Sequence, residues 1–251
     1  MSASDPPPPW LRGGGSRFAT TRWSVVAAAG KSPSPQSRRA LEELCASYWY
    51  PLYVFTRRRR HAAAEAQDLV QGFFAELLEK GTLAAADEER GRFRTFLLAV
   101  YQRFLGHERE RARARKRGGG RRIVSFDATD AEDRYRREPF HELTPERIYE
   151  RRYALTLLDR VLARLESDFA SRGRGELFER LKPTLTGGDA TRYADLAAEL
   201  GMSPGAVKVA VHRLRRQYRD ALREEIGQTV DGPEEIDDEL NRLLEALRVD
   251  S

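Results

Sequence analysis

The chain has 251 residues, 40% of them hydrophobic and 33% charged, with a net charge of +5, which gives room for one large domain or two small ones with wide charged surfaces. Its single cysteine, Cys45, excludes an intrachain disulfide framework or a cysteine-rich metal site, and His61, His107, His141 and His212 lack ligand spacing. No stretch approaches the roughly 18 apolar residues of a membrane span, and the N-terminus has no charged start followed by an apolar core, so a soluble, cytoplasmic protein is expected.

Residues 1–35 read as a flexible leader, with Pro6 to Pro9 and Gly13 to Gly15, a short helix over Phe18–Gly30, and a break at Ser32 to Pro35. From 36 to 117 the pattern is helical. Leu41, Leu44 and Tyr48 fall on one face, which Leu52 and Phe55 continue beyond Pro51. A second helix is predicted over Ala62–Lys80, with Leu69, Phe73 and Leu77 four residues apart and Gly81 as its stop. A third starts near Arg92 with the stripe Phe93, Phe96, Leu97, Val100 and Phe104, and runs into a basic segment that ends at Gly118–Gly120.

Residues 118–144 read as a linker, rich in charge and turn residues, with one apolar patch at Ile123, Val124 and Phe126. Thr144-Pro145-Glu146 is a helix start: a cap, proline at the first position and an acid in the first turn. The helix after it carries Leu155, Leu158, Leu162, Leu165 and Phe169, a stripe that needs partners such as Leu177, Phe178 and Leu181. Residues 145–225 form the second helical domain, and 226–251 an acidic tail with Ile236, Leu240, Leu243, Leu244 and Leu247 at helical spacing. No alternating strand is visible. The fold class expected is all-α: two small helical domains joined by a linker.

Charge is unevenly spread. Arg103–Arg122 holds nine Arg/Lys against Glu108 and Glu110, and Ser203–Arg223 holds six against Asp220. From Glu224 onward ten acids face Arg242 and Arg248. Such runs suit a polyanion partner, and the acidic tail suits a screen for it; the bland alternative is a set of solvated helix faces.

Tyr193–Gln217 reads as a helix-turn-helix. Tyr193, Leu196, Ala197 and Leu200 face inward on the first helix, with Thr191 as its cap. Gly201 permits the positive φ of a tight turn, Ser203 caps the second helix, and Pro204 takes its first position. Val207, Val211, Leu214 and Tyr218 lie on one side of that helix. Lys208, Val209, His212, Arg215 and Arg216 lie on the other, with Arg213 at the border. A helix of this kind fits the major groove of DNA. A hairpin with a basic solvent face is the alternative.

With these residues in hand, the chain resembles a sigma-70 family RNA polymerase sigma factor of the extracytoplasmic-function type, over about 36–117 and 145–225. The helix-turn-helix is similar to region 4, the −35 reader. Ala64–Leu78 (AEAQDLVQGFFAELL) is similar to region 2.2, which docks on the polymerase clamp. Gly91–Tyr101 (GRFRTFLLAVY) is similar to regions 2.3 and 2.4, which open and read the −10 element. Gly72, Arg103 and Ala210 depart from the residues usual in that family.

The resemblance implies core RNA polymerase and promoter DNA as partners and leaves room for an anti-sigma factor or other regulator. It implies no cofactor, no metal and no catalysis by this chain. Asp68, Gln71 and Glu76 are the expected polymerase contacts. Arg92, Arg94, Tyr101, Arg103, Arg109 and Arg113 are expected at the −10 strand, where a cationic groove plus a stacking ring would hold single-stranded DNA. Ser203, Lys208, Val209, His212, Arg213, Arg215 and Arg216 are expected at the −35 duplex. Two rival readings remain: a helix-turn-helix regulator that never joins polymerase, and a nuclease, which would need an acid/base or metal constellation that the sequence does not display.

Overall fold

The computed structural model describes residues 35–79, 92–114, 128–137, 143–186, 191–230 and 232–248. The leader before Pro35 with its Phe18–Gly30 helix, the stops at Gly81 and Gly118–Gly120, the patch at Ile123, Val124 and Phe126, and the side chains of Leu41, Leu44 and Arg113 lie outside the described residues. All the regular elements among the described residues are helices, with no strand among them. They form α1 (Pro35–Arg58), α2 (Ala63–Glu79), α3 (Phe93–Ala114), α4 (Ala128–Arg136), α5 (Pro145–Ser171), α6 (Gly175–Leu181), a 3₁₀ segment (Lys182–Thr186), α7 (Thr191–Leu200), α8 (Pro204–Gly227) and α9 (Glu235–Leu247).

The first helix continues unbroken past Pro51. Proline removes one backbone donor and disfavours the helix interior. Here the turn that follows is held by burial: Leu52, Tyr53, Val54 and Phe55 are almost wholly enclosed. Helices α2 and α3 close over this segment through Phe73, Phe74, Leu97 and Tyr101, all buried, with Phe73 and Tyr101 edge to face at 4.8 Å.

Helix α5 organises the rest. Its start is the one expected: Pro145 takes the first turn and Thr144 Oγ1 accepts from the Arg147 amide at 3.3 Å. Its buried face is different from the expected stripe. Tyr149, Tyr153, Ala154, Leu157, Val161 and Leu165 are enclosed, while Leu155, Leu158 and Leu162 are only half-buried. The reason is that α5 has neighbours on more than one side. Its most extensive packing is on α1, followed by α9, α6 and α8. Tyr153 stacks on Tyr48 of α1 at 5.1 Å, and Phe169 meets Phe178 of α6 at 5.3 Å. One continuous apolar core therefore joins the N-terminal and C-terminal helices through α5.

Polar contacts fix the position of two further elements, α4, which lacks an apolar stripe, and α9, which has one. Helix α4 lies within the segment expected to be only a linker. It is held by Glu132, which accepts from Arg57 Nε at 3.0 Å, Arg57 Nη2 at 2.9 Å and the Tyr53 hydroxyl at 2.5 Å. Burial opposes the charge on Glu132, but the hydrogen bonds from Arg57 and Tyr53 outweigh it and hold the carboxyl below its ordinary value. Helix α9, in the acidic tail, buries Ile236 and Leu243 and lies on α5 and α8. Its Glu239 is 1% exposed and pairs with both Arg92 and Arg94 at the start of α3, while Arg94 also pairs with Glu150 of α5.

Glu239→Ala leaves Arg94 in a buried site with one of its two carboxylates gone. Stability is expected to fall by about 3 kcal/mol, as for other broken buried pairs, read as a lower urea midpoint; an unchanged midpoint would show that the clamp contributes nothing. Gly72, in the interior of α2, gives the opposite expectation. A Cβ there would meet Phe104 Cζ at 3.5 Å, an ordinary contact. Gly72→Ala is expected to raise stability by about 1 kcal/mol, and a lower midpoint would reveal a packing constraint at the α2–α3 crossing.

Candidate nucleic-acid interface

The C-terminal unit begins where α5 stops. Gly173 has φ +68°, and the Arg174 amide returns to the Phe169 carbonyl at 2.8 Å while the Gly173 amide returns to Ala170 at 2.9 Å. This αL cap ends the helix cleanly and turns the chain into α6. The same device recurs between α7 and α8. Gly201 has φ +61°, the Met202 amide donates to the Ala197 carbonyl at 2.9 Å, and the Gly201 amide to Ala198 at 3.4 Å. A residue with a Cβ is strained at such an angle, so the glycine sets the tight turn between the two helices.

Thr191, expected as a cap, is the first residue of α7. Helix α8 starts as the sequence indicates: Ser203 Oγ accepts from the Ala206 amide at 3.2 Å, with Pro204 in the first turn. Val207, Val211 and Leu214 are almost fully buried and pack with Phe178, Leu181 and Ala197 into the core. Ala197, 5% exposed, is small where α7 approaches α8.

The opposite face of α8 is open to solvent. Gly205, Lys208, Val209, His212, Arg213, Arg216 and Arg219 are all exposed. Spaced at helical intervals over about 21 Å at 1.5 Å per residue, they make a cationic strip. Asp220 is the acid on it, 3.8 Å from Arg216 Nε, and both groups are well exposed. A pair so exposed is weak, so Arg216 keeps most of its positive field. Val209, 49% exposed, is one of two large apolar side chains open to solvent among the described residues. An apolar group in a cationic strip suits the major groove, where thymine offers a methyl group between acceptors.

Arg215 must be moved out of this set. Its Nε and Nη2 donate to the Thr184 carbonyl at 3.2 and 2.7 Å. The guanidinium fastens the 3₁₀ segment to α8, and Thr184 itself is buried, its hydroxyl donating to Leu181. Arg215 therefore positions the unit.

The N-terminal candidates divide in the same way. Arg103 and Arg109 are exposed on α3. Tyr101 is not available to stack on a base: it is fully buried between Phe73 and Phe104, and its hydroxyl lies 2.6 Å from Thr56 Oγ1. The Thr56 proton is already used on the Leu52 carbonyl at 2.7 Å, so Tyr101 donates. Burial raises the Tyr101 pKa, against smaller opposing effects of Thr56 and Arg59. Arg94 is 6% exposed and bound by Glu150 and Glu239, and Arg92 is bound by Glu239. On α2, Asp68 is exposed, Glu76 lies 3.7 Å from Arg111, and Gln71 is buried at 5%, where it cannot meet a partner protein.

The residue that sequence reasoning missed is Glu239. The available signal was an acid on the same helical face as Ile236, Leu240 and Leu243, a position where a carboxylate needs a cation. No metal-binding cluster of His, Cys, Asp and Glu occurs among the described residues, and no described helix is long and apolar enough to cross a membrane.

No protein-family model matches the chain, and no curated protein or solved structure is significantly similar to it.

Ser203→Ala removes the cap but none of the cationic strip. A loss of about 1 kcal/mol in stability is expected, measured by urea denaturation, with the secondary structure of the folded state unchanged. No loss would mean that the cap hydrogen bond adds nothing to α8.

Proposed function

We propose that the chain is a DNA-binding transcription initiation factor of the sigma-70, extracytoplasmic-function type, in which α7 and α8 read a −35 duplex and the N-terminal helices join core RNA polymerase and hold the −10 strand. The observation that carries the reading is the α8 face: a cationic strip with one apolar residue, on a helix set by a glycine turn and a Ser-Pro start. Lys208, Arg213 and Arg216 meet phosphates or guanine edges, and Val209 lies against thymine. Asp68 is the exposed group left for polymerase docking, and Arg103 and Arg109 for the −10 strand. Catalysis belongs to the polymerase, and a cytoplasmic location follows from this role.

One observation favours a second reading. Tyr101 and Gln71 are buried, and Arg92 and Arg94 are neutralised by Glu239 and Glu150, which removes much of the single-strand and polymerase surface. A helix-turn-helix regulator that binds duplex DNA without joining polymerase needs only α7 and α8. Retention of the chain on immobilised core polymerase, and its loss in Asp68→Arg, separates the two.

The DNA part is tested by salt. Lys208→Ala with Arg216→Ala is expected to weaken duplex binding and to reduce the log–log salt slope by about 0.9 for each phosphate contact removed. Arg215→Ala is expected to act through stability instead. An unchanged slope in the Lys208/Arg216 variant would remove α8 as the contact.

A further inference from the structure

A third cationic surface exists that neither basic run in the sequence reveals. The fold assembles it from the end of α1 and from α4, segments about 75 residues apart. Arg58, Arg59 and Arg60 come from the first, and Arg134, Arg136 and Arg137 from the second. The Glu132 clamp on Arg57 brings them together.

Three features make this more than a solvated face. The first is that the aromatic rings beneath it are already covered by guanidinium groups: Arg134 lies 4.2 Å over Tyr50, Arg57 4.8 Å over Tyr135, and Arg59 5.2 Å over Phe55. Such contacts hold arginine forks in place before any ligand arrives. The second is that the described acids beside it are already engaged, Glu65 lying 2.9 Å from His61 Nδ1. Glu132 is held by Arg57 and Tyr53, and Arg136 lies 3.5 Å from Glu132 and 3.9 Å from Asp133. Among the described residues, Arg59, Arg60, Arg134 and Arg137 have no carboxylate partner. The positive field reaches the neighbouring helix: burial and then Arg134 and Arg58 lower the Arg152 pKa, against Tyr50 and Asp159. The third is Arg60, which stands at φ +68°, the only non-glycine residue at positive φ among those described. A left-handed angle strains a residue that bears a side chain, so glycine would suit this turn better on backbone grounds.

We propose that this α1–α4 surface is a second, sequence-independent binding site for the phosphate backbone of DNA. Guanidinium forks match phosphate oxygens in pairs. The covered rings leave no platform for bases, so the surface takes backbone and not splayed nucleotides. The cationic strip of α8 is a separate positive surface on the same chain, and each phosphate contact at either one adds its own increment to the salt dependence. The proposal rests on the DNA-binding reading of α8, and the test keeps the two apart.

The experiment is duplex binding across a salt series with one fixed mixed-sequence DNA. The full chain is compared with Arg60→Gly/Arg134→Gln/Arg137→Gln and with Lys208→Ala/Arg216→Ala, each checked for native thermal melting. The arginine triple is expected to lower the log–log slope by about 0.9 per contact, equally on unrelated sequences and additively with the α8 variant. Should the triple melt early, Arg137→Gln alone is read in the same way, with a drop of about 0.9. A slope lowered by the α8 variant but untouched by the α1–α4 variants overturns the proposal and leaves the α8 reading in place. Competition by polyglutamate without any slope change also overturns it, because the surface then serves an acidic protein. A slope unmoved by either set overturns both.

Discussion

Helix α5 is the constraint on which the other helices depend. It is 27 residues long and enclosed on several sides by α1, α6, α8 and α9. Tyr149, Tyr153, Leu157, Val161 and Leu165 are buried along it. At about 1.5–3 kcal/mol for each large apolar side chain enclosed, this burial holds the helix firmly against its neighbours. It also fixes geometry. The residues that face α1 and those that face α8 sit on one rigid rod, so the C-terminal unit takes its place from the N-terminal helices.

Charged groups then lock the arrangement. Arg160 of α5 reaches both Ser47 of α1 and Glu225 of α8, and Arg94 lies between Glu150 and Glu239. Buried pairs of this kind add little net stability, because desolvation offsets their attraction. What they do is penalise any other register, since a slipped helix would strand a buried charge. Glu239 is the clearest case: helix α9 has an apolar face that could lie on many surfaces, but only one position puts its carboxylate against Arg92 and Arg94.

The local signals in the sequence translated directly into structure. Thr144-Pro145 and Ser203-Pro204 start their helices, and Gly201 takes the positive φ that the turn requires. These are short-range effects, decided within four residues. The tertiary effects were harder to see. Helix α4 has no apolar stripe to announce it and depends on Arg57 and Tyr53, which lie far away in sequence. Phe104 is expected on the apolar stripe and Tyr101 on the single strand, yet the packing of α2 on α3 encloses both. Arg215 and Arg216 are adjacent and chemically identical; the Thr184 carbonyl takes one and leaves the other to solvent. A sequence carries charge, but burial decides which charges are free to act.

That distinction leaves the face of α8, Asp68 on α2, and Arg103 and Arg109 on α3 as the exposed candidates of the original set. The proposed role of this chain is to confer promoter choice on a polymerase. Run-off transcription on genomic DNA with purified core polymerase, followed by sequencing of the start sites, tests it most directly. The account predicts discrete start sites that appear only when the chain is added, share an upstream element at −35, and are lost in the Lys208→Ala/Arg216→Ala variant. Start sites identical with and without the chain would contradict it.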